Sequence, residues 1–207
     1  MRLYLVRHGE TRLNREYRFI GRTDPALSEK GKAQAREIAE RLASEGIEAI
    51  YTSDLLRTRQ TAGIIAGRLG LNVVITPELR EIDFGDWEGL SYDEIVMRDK
   101  EHLEAWMADP THIDIPGGES WRHFELRINS ALEEIIKAED DGNILIITHG
   151  GPIKLLMTRF HEGDPHFFNS FWPQAGGLNI VEVDDQSVTV LELSGIKYAG
   201  EDDTEGE

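Results

Sequence analysis

Two short apolar runs constrain this chain more than any other feature. Arg2–Arg7 (RLYLVR) and Asn143–Thr148 (NILIIT) present no polar face. A strand that is apolar on both sides needs cover on both sides. That is the condition of a central strand in a parallel sheet held between helices.

The stretches between these runs alternate as such a sheet requires. Glu48–Thr52 and Asn72–Thr76 read as two more strands. Ser28 is placed to cap a helix that runs to about Ser44, with Ala35, Ile38, Ala39 and Leu42 on one face. Ser53 or Asp54 is placed to cap a second helix, which Gly70 ends after Leu69. Glu119–Ala138 reads as a longer helix, with Phe124, Ile128, Leu132 and Ile135 three or four apart. Gly150 opens another, with Pro152 in a first turn that needs no amide donor. The predicted fold is α/β, a mainly parallel central sheet flanked by helices. Two features depart from the alternation. Residues 90–118 read as a small helical cap insertion, with short helices over Ser91–Asp99 and Glu101–Ala108. Leu178–Val183 and Ser187–Leu193 flank Asp184-Asp185-Gln186 as a C-terminal hairpin. Residues 1–200 are expected to form a single domain, and 201–207 (EDDTEGE) an acidic disordered tail.

Charge and composition narrow the chemistry. The net charge is -17, which argues against a nucleic-acid partner. The charge is uneven. Residues 1–60 hold 12 Lys+Arg against 9 Asp+Glu, and the remainder 10 against 30. An acidic chain that keeps its arginines near one end is suited to a small anion. Arg12, Arg15, Arg36 and Arg41 read instead as solvated surface. There is no cysteine, so disulfides, thiolate metal sites and a thiol nucleophile are excluded. No apolar run is long enough for a membrane span, and the N-terminus does not read as a signal peptide; a cytoplasmic location is expected.

The residues just past the strands carry the chemistry. Arg7 and His8 follow the first, Arg57 lies in the helix after the second, Glu81 follows the third, and His149 follows the fourth. In open α/β sheets, ligands bind outside the carboxyl ends of the strands. Topology alone therefore aims these five side chains at one edge. Phosphoryl transfer needs such a set. Arginine forks suit phosphate oxygens. A neutral imidazole can attack phosphorus. A carboxyl can protonate the leaving oxygen and then activate water. The helix N-terminus after His149 offers amide donors to an anion.

The chain also resembles the histidine phosphatase superfamily, the phosphoglycerate-mutase-like fold. The resemblance rests on LVRHGET (Leu5–Thr11), Asn14, RFIGRTDPALSEKG (Arg18–Gly31), TSDLLRTRQTA (Thr52–Ala62), LREIDFGDWEG (Leu79–Gly89), PGGES (Pro116–Ser120) and THGG (Thr148–Gly151), in the family's order. It implies that His8 is the nucleophile, that Arg7, Arg57 and His149 bind the phosphoryl group, and that Glu81 is the proton donor. It places Asn14 in the phosphate pocket and implies no metal and no cofactor. Without it, Asp83, Asp86 and Glu88 compete with Glu81 for the acid, and Arg57 could simply pair with Asp54.

Within that family, the pattern is most similar to α-ribazole phosphatases, and phosphoserine and broad-specificity phosphatases share much of it. The implied activity is metal-independent hydrolysis of a small phosphorylated metabolite through phosphohistidine. A cofactor-dependent phosphoglycerate mutase is the main alternative. Against it, His149 follows Glu81 by only 68 positions, and the intervening stretch is acid-rich. A non-catalytic binding protein of the same fold is a third reading, disfavoured because all five motif residues are present. A homodimer is left open. The remaining histidines, His102, His112, His123, His161 and His166, read as surface or structural. Trp106, Trp121, Phe167, Phe168, Phe171 and Trp172 read as core or interface, with a few available to line a substrate pocket.

Overall fold

A computed structural model describes residues 1–139, 141–160, 171–184, 187–194 and 196–197. The acidic tail, Asp185 and Gln186 of the hairpin tip, His161, His166, Phe167 and Phe168 lie outside the described residues. Strands β1 (Arg2–Arg7), β2 (Ala49–Thr52), β3 (Val73–Ile75), β4 (Asn143–Thr148), β5 (Leu178–Val183), β6 (Val188–Leu193) and β7 (Ile196–Lys197) form one sheet in the order β3-β2-β4-β1-β5-β6-β7. The first four run parallel, and β5, β6 and β7 add antiparallel edges. The fold is thus the α/β arrangement expected, with its C-terminal hairpin in β5 and β6. One detail differs. β1 is parallel to β4 on one side only, because the chain returns along its other side as β5.

The apolar runs behave as their composition requires. Leu3 and Leu5 of β1, with Ile144 and Ile146 of β4, enter one core. Tyr4, Val6, Leu145 and Ile147 enter the other. Helices α2 (Glu29–Leu42) and α3 (Leu56–Leu69) cover the second core through Ile38, Leu42, Ala62 and Ile65. Helices α5 (Trp121–Glu139) and α6 (Gly150–Phe160) cover the first through Phe124, Ile128, Ile153 and Leu156. Each fully buried Leu or Ile is worth roughly 1.5–3 kcal/mol, so a slip by one residue in either central strand would change every partner.

Helix ends show where local chemistry is overruled. Ser28 caps α2 by accepting from the Gly31 amide. Neither Ser53 nor Asp54 caps α3. The helix starts after Leu55, and its first amide, Leu56, is capped by Asp24 from a distant loop. The reason is competition: Ser53 is bound to His149 and Thr58, and Asp54 is paired with Arg80. The pairing also removes Asp54 as a partner for Arg57.

The loop after β1 contains one short helix, α1 (Arg12–Arg15), capped reciprocally by Thr11 and Asn14. The cap region forms α4 (Tyr92–Ala108), broken at Asp99 with φ -153° and ψ 55°, which matches the two short helices expected. Arg12 and Arg36 are exposed, as expected. Arg41 is not merely solvated: it pairs with Glu192, which is buried. Among the described residues, no helix is long and apolar enough to cross a membrane.

Candidate active site

The register of β1 and β4 builds the centre of the site. Arg7 is paired with Thr148, so the next residues, His8 and His149, leave adjacent strands side by side. Their ring centroids are 5.1 Å apart. Both rings are buried, and burial beside Arg57 and Arg7 lowers both imidazoles well below the usual histidine range. Both are therefore neutral at neutral pH.

The His8 contacts define its tautomer. Nδ1 lies 2.8 Å from the Gly9 carbonyl, which can only accept, so Nδ1 carries the hydrogen. Nε2 is then a bare lone pair, and it accepts from Arg57 Nε at 3.2 Å. The Gly9 amide is held by Thr61 Oγ1 at 3.1 Å, which fixes the backbone behind the ring.

Arg57 is only 1% exposed. Its terminal nitrogens donate to the carbonyls of Thr23 (2.8 Å), Gly21 (2.9 Å) and Ile20 (3.5 Å). Burial lowers its pKa to about 10, against the opposing pull of Glu81. Arg7 is lowered by burial too; it donates from Nη1 to the Pro173 carbonyl at 2.7 Å. His149 Nε2 meets Ser53 Oγ at 2.8 Å, and Ser53 Oγ meets Thr58 Oγ1 at 2.7 Å. Arg7 Nε and His149 Nδ1 are buried and have no hydrogen-bond partner among the described residues. Such orphans are rare unless a ligand meets them.

Glu81 arrives on a turn between β3 and α4. Both carboxylate oxygens lie 3.1 Å from the Gly151 amide, at the start of α6. The helix N-terminus thus faces this carboxylate rather than open space. A Cβ on Gly151 would collide with Glu81 Oε1, so only glycine permits the approach. The competing acids are used elsewhere: Asp83 faces Arg22 at 3.4 Å, Asp86 is exposed, and Glu88 binds the loop at 21–23. Arg127 holds the Glu81 turn from behind, donating to the carbonyls of Glu78 (2.5 Å), Arg80 (2.7 Å) and Glu81 (3.0 Å) while paired with Glu119.

These groups open into a cavity of about 1160 Å³. Arg7, His8, Glu81 and Asn14 line it. The Asn14 oxygen accepts from the Thr11 amide and hydroxyl. Aromatic groups form much of the wall, including Phe19, Phe84, Trp106, Trp121 and Trp172. Trp106 packs edge-on to Phe19 and Phe84. Of the described aromatics read as core or interface, Phe171 is buried in the core, and Trp106 and Trp121 are partly buried against it. Lys154 also lines the cavity, its ammonium 3.9 Å from the Trp172 ring centre, and burial lowers it to about 8. Arg15 is exposed at the same cavity. Sequence reasoning missed Ser53, Thr61, Glu88, Arg127 and Lys154. The first three lie inside or beside recognised motifs, but nothing in their type marks what they hold. His112 and His123 are exposed, as expected, and His102 sits half-buried against Trp87. Among the described residues, no three His, Cys, Asp or Glu side chains gather to hold a metal ion.

A site of neutral histidines, arginines and one glutamate at the carboxyl edge of this sheet matches a known class. The family model of the histidine phosphatase superfamily, branch 1, matches residues 3–195, and the chain belongs to that family. It is 31% identical to phosphoserine phosphatase 1 of Hydrogenobacter thermophilus over 97% of this chain and 95% of the relative. It is 40% identical to phosphoglycerate mutase-like protein 4 of Arabidopsis thaliana, over 76% of this chain and 70% of that one. Among solved structures, the alpha-ribazole phosphatase of Shigella flexneri superposes with a TM-score of 0.85 at 28% identity, covering 96% of this chain and 100% of the other. The chain is an enzyme of the histidine phosphatase class.

Proposed function

We propose that this enzyme hydrolyses small phosphomonoesters through a phosphohistidine on His8, without a metal. The observation that carries the reading is the pair of orphaned buried nitrogens, Arg7 Nε and His149 Nδ1, beside a neutral His8. Arg7 Nε–H is a donor by nature. His149 Nδ1 becomes one in the tautomer in which Ser53 donates to His149 Nε2, with the Thr58 hydroxyl hydrogen shared between Ser53 Oγ (2.7 Å) and the Leu55 carbonyl (2.8 Å). Two donors and the Arg57 edge then surround one anion.

The bonds change as follows. As the phosphoryl group enters, Arg57 Nε–H passes from His8 Nε2 to a phosphoryl oxygen; the freed Nε2 lone pair attacks phosphorus, forming the N–P bond, and the P–O bond to the alcohol breaks. The leaving oxygen takes a proton from Glu81. The ring's positive charge is stabilised through Nδ1–H and the Gly9 carbonyl. Water then attacks phosphorus, giving a proton to Glu81 and releasing phosphate and neutral His8. Asn14 contributes a further amide to the phosphate side.

The aromatic wall and the cavity volume support a leaving group larger than glycerate, with a flat ring to stack. α-Ribazole phosphate fits that description, and the likeness to an alpha-ribazole phosphatase supports it. Phosphoserine is the competing substrate, on the likeness to a phosphoserine phosphatase. The test is phosphate release from α-ribazole phosphate, phosphoserine, 3-phosphoglycerate and p-nitrophenyl phosphate, with chelator, beside His8→Ala. Release that survives chelator and vanishes in His8→Ala is expected, highest for α-ribazole phosphate. Interconversion of phosphoglycerates without release would replace hydrolysis by mutase activity. Activity retained in His8→Ala would remove the phosphohistidine.

A further inference from the structure

Arg57 must present one N–H to the reacting centre, yet among the described residues no carboxylate lies within hydrogen-bond distance of it. Its nearest acid, Asp24, is 3.8 Å away and also caps α3. What holds the guanidinium is backbone: the carbonyls of Ile20, Gly21 and Thr23. A loop backbone aims three carbonyls at one guanidinium only if its amides, which point the other way, are satisfied by something else.

Glu88 satisfies them. Its Oε1 accepts from the amides of Gly21 (2.9 Å), Arg22 (2.7 Å) and Phe84 (3.2 Å). Its Oε2 accepts from the amide (3.2 Å) and the hydroxyl (2.7 Å) of Thr23. One carboxylate thus takes five hydrogen bonds and joins the 20–24 loop to the turn that carries Glu81. The approach is close enough that a Cβ on Gly21 would collide with both Glu88 Oε1 and the Ile82 carbonyl. The loop, the carboxylate and the Glu81 turn are packed as one unit.

We propose that Glu88 is a positioning residue for Arg57: by gathering the amides of residues 21–23 it turns their carbonyls onto the guanidinium, and so sets Arg57 Nε against His8 Nε2. Glu88 does not reach the phosphate itself. It acts through two layers, amide to carboxylate and carbonyl to guanidinium. The inference rests on the phosphohistidine reading, because it assigns Arg57 a place in that reaction.

Two consequences follow for Glu88→Ala. Arg57 loses its fixed aim, and a misplacement on the order of 1 Å can lower turnover about 10²-fold. Arg57 also stops pressing its charge on His8, so His8 protonates more readily and the acid limb of the rate profile moves to higher pH. General loosening of the fold would lower the melting temperature and the active fraction without moving that limb.

The experiment compares wild type, Glu88→Ala, Glu88→Gln, Arg57→Ala and the Glu88→Ala/Arg57→Ala double variant. Each is normalised to folded protein and measured with p-nitrophenyl phosphate across pH. Wild-type phosphohistidine is trapped separately by acid-free quench, and its absence would overturn the phosphohistidine reading rather than the role of Glu88. Given a labelled wild type, we expect kcat to fall about 10²-fold in Glu88→Ala, with the acid limb raised. Glu88→Gln should recover part of the rate, because its oxygen still accepts from the Gly21, Arg22 and Phe84 amides, while its NH2 loses the Thr23 N–H bond and keeps only the Thr23 hydroxyl. Adding Glu88→Ala to Arg57→Ala should lower kcat little further. An unshifted acid limb in Glu88→Ala, or full additivity of the two substitutions, would overturn the proposal.

Discussion

Lowering the pH from 6.5 to 5.5 should destabilise this protein through two histidines alone. His8 and His149 are buried as neutral rings, and burial beside Arg57 and Arg7 holds both well below the ordinary value of 6.5. The unfolded chain takes up protons in this interval and the folded chain does not, so stability rises with pH and is lost as pH falls below 6.5. Because both rings stay neutral in the folded protein, each loses up to about 1 kcal/mol over the interval, or about 2 kcal/mol together. Carboxylates held low by their partners, such as Glu10 and Asp54, act in the same direction but below their ordinary values of 4.5 and 3.8, outside the interval. The assay is urea unfolding at several pH values in a buffer free of phosphate. His8→Asn and His149→Asn should each remove about 1 kcal/mol of the pH dependence, whatever they do to stability at neutral pH. A wild-type stability flat across the interval, or an undiminished slope in both variants, would refute the neutral-histidine description.

Three other perturbations test separate parts of the site. Gly151→Ala forces Glu81 off the start of α6; kcat should fall at least about 10-fold while the fold persists, checked by steady-state kinetics and circular dichroism. Arg127→Leu strands Glu119, whose side chain is 3% exposed, and should destabilise by about 3 kcal/mol in urea unfolding. Adding Glu119→Gln should recover part of that loss. Trp172→Ala removes a ring that is 66% exposed, so the melting temperature should hardly move while KM for a ring-bearing substrate rises relative to phosphoserine. Equal melting loss with unchanged preference would take Trp172 out of the pocket.

The sheet was legible because its evidence is local. Apolar runs, caps and periodic faces each need only a few neighbouring residues. The expectations failed where a distant group competed for a local one. Ser53 has the right type and place to cap α3, but its hydroxyl is bound to His149, and Asp24 caps the helix from another loop. Arg41 looked like solvated surface because its partner, Glu192, lies 151 positions away.

The same distinction separates the two glutamates of the LREIDFGDWEG stretch. Glu81 and Glu88 stand seven positions apart, with similar neighbours, and composition offers no reason to prefer either as the acid. The turn at Gly85–Trp87 folds the segment back, so one carboxylate reaches the Gly151 amide and the other reaches the amides of 21–23. Their surroundings then set their chemistry. Glu81 accepts from two backbone amides, Gly151 and Ile82, at the wall of the cavity. Glu88 accepts five hydrogen bonds from the amides of Gly21, Arg22, Thr23 and Phe84 and the Thr23 hydroxyl, so both of its oxygens are committed to the loop. Glu81 lines the cavity and Glu88 does not, which is the geometric ground for reading the first as the group that meets substrate and the second as a support for the loop around Arg57.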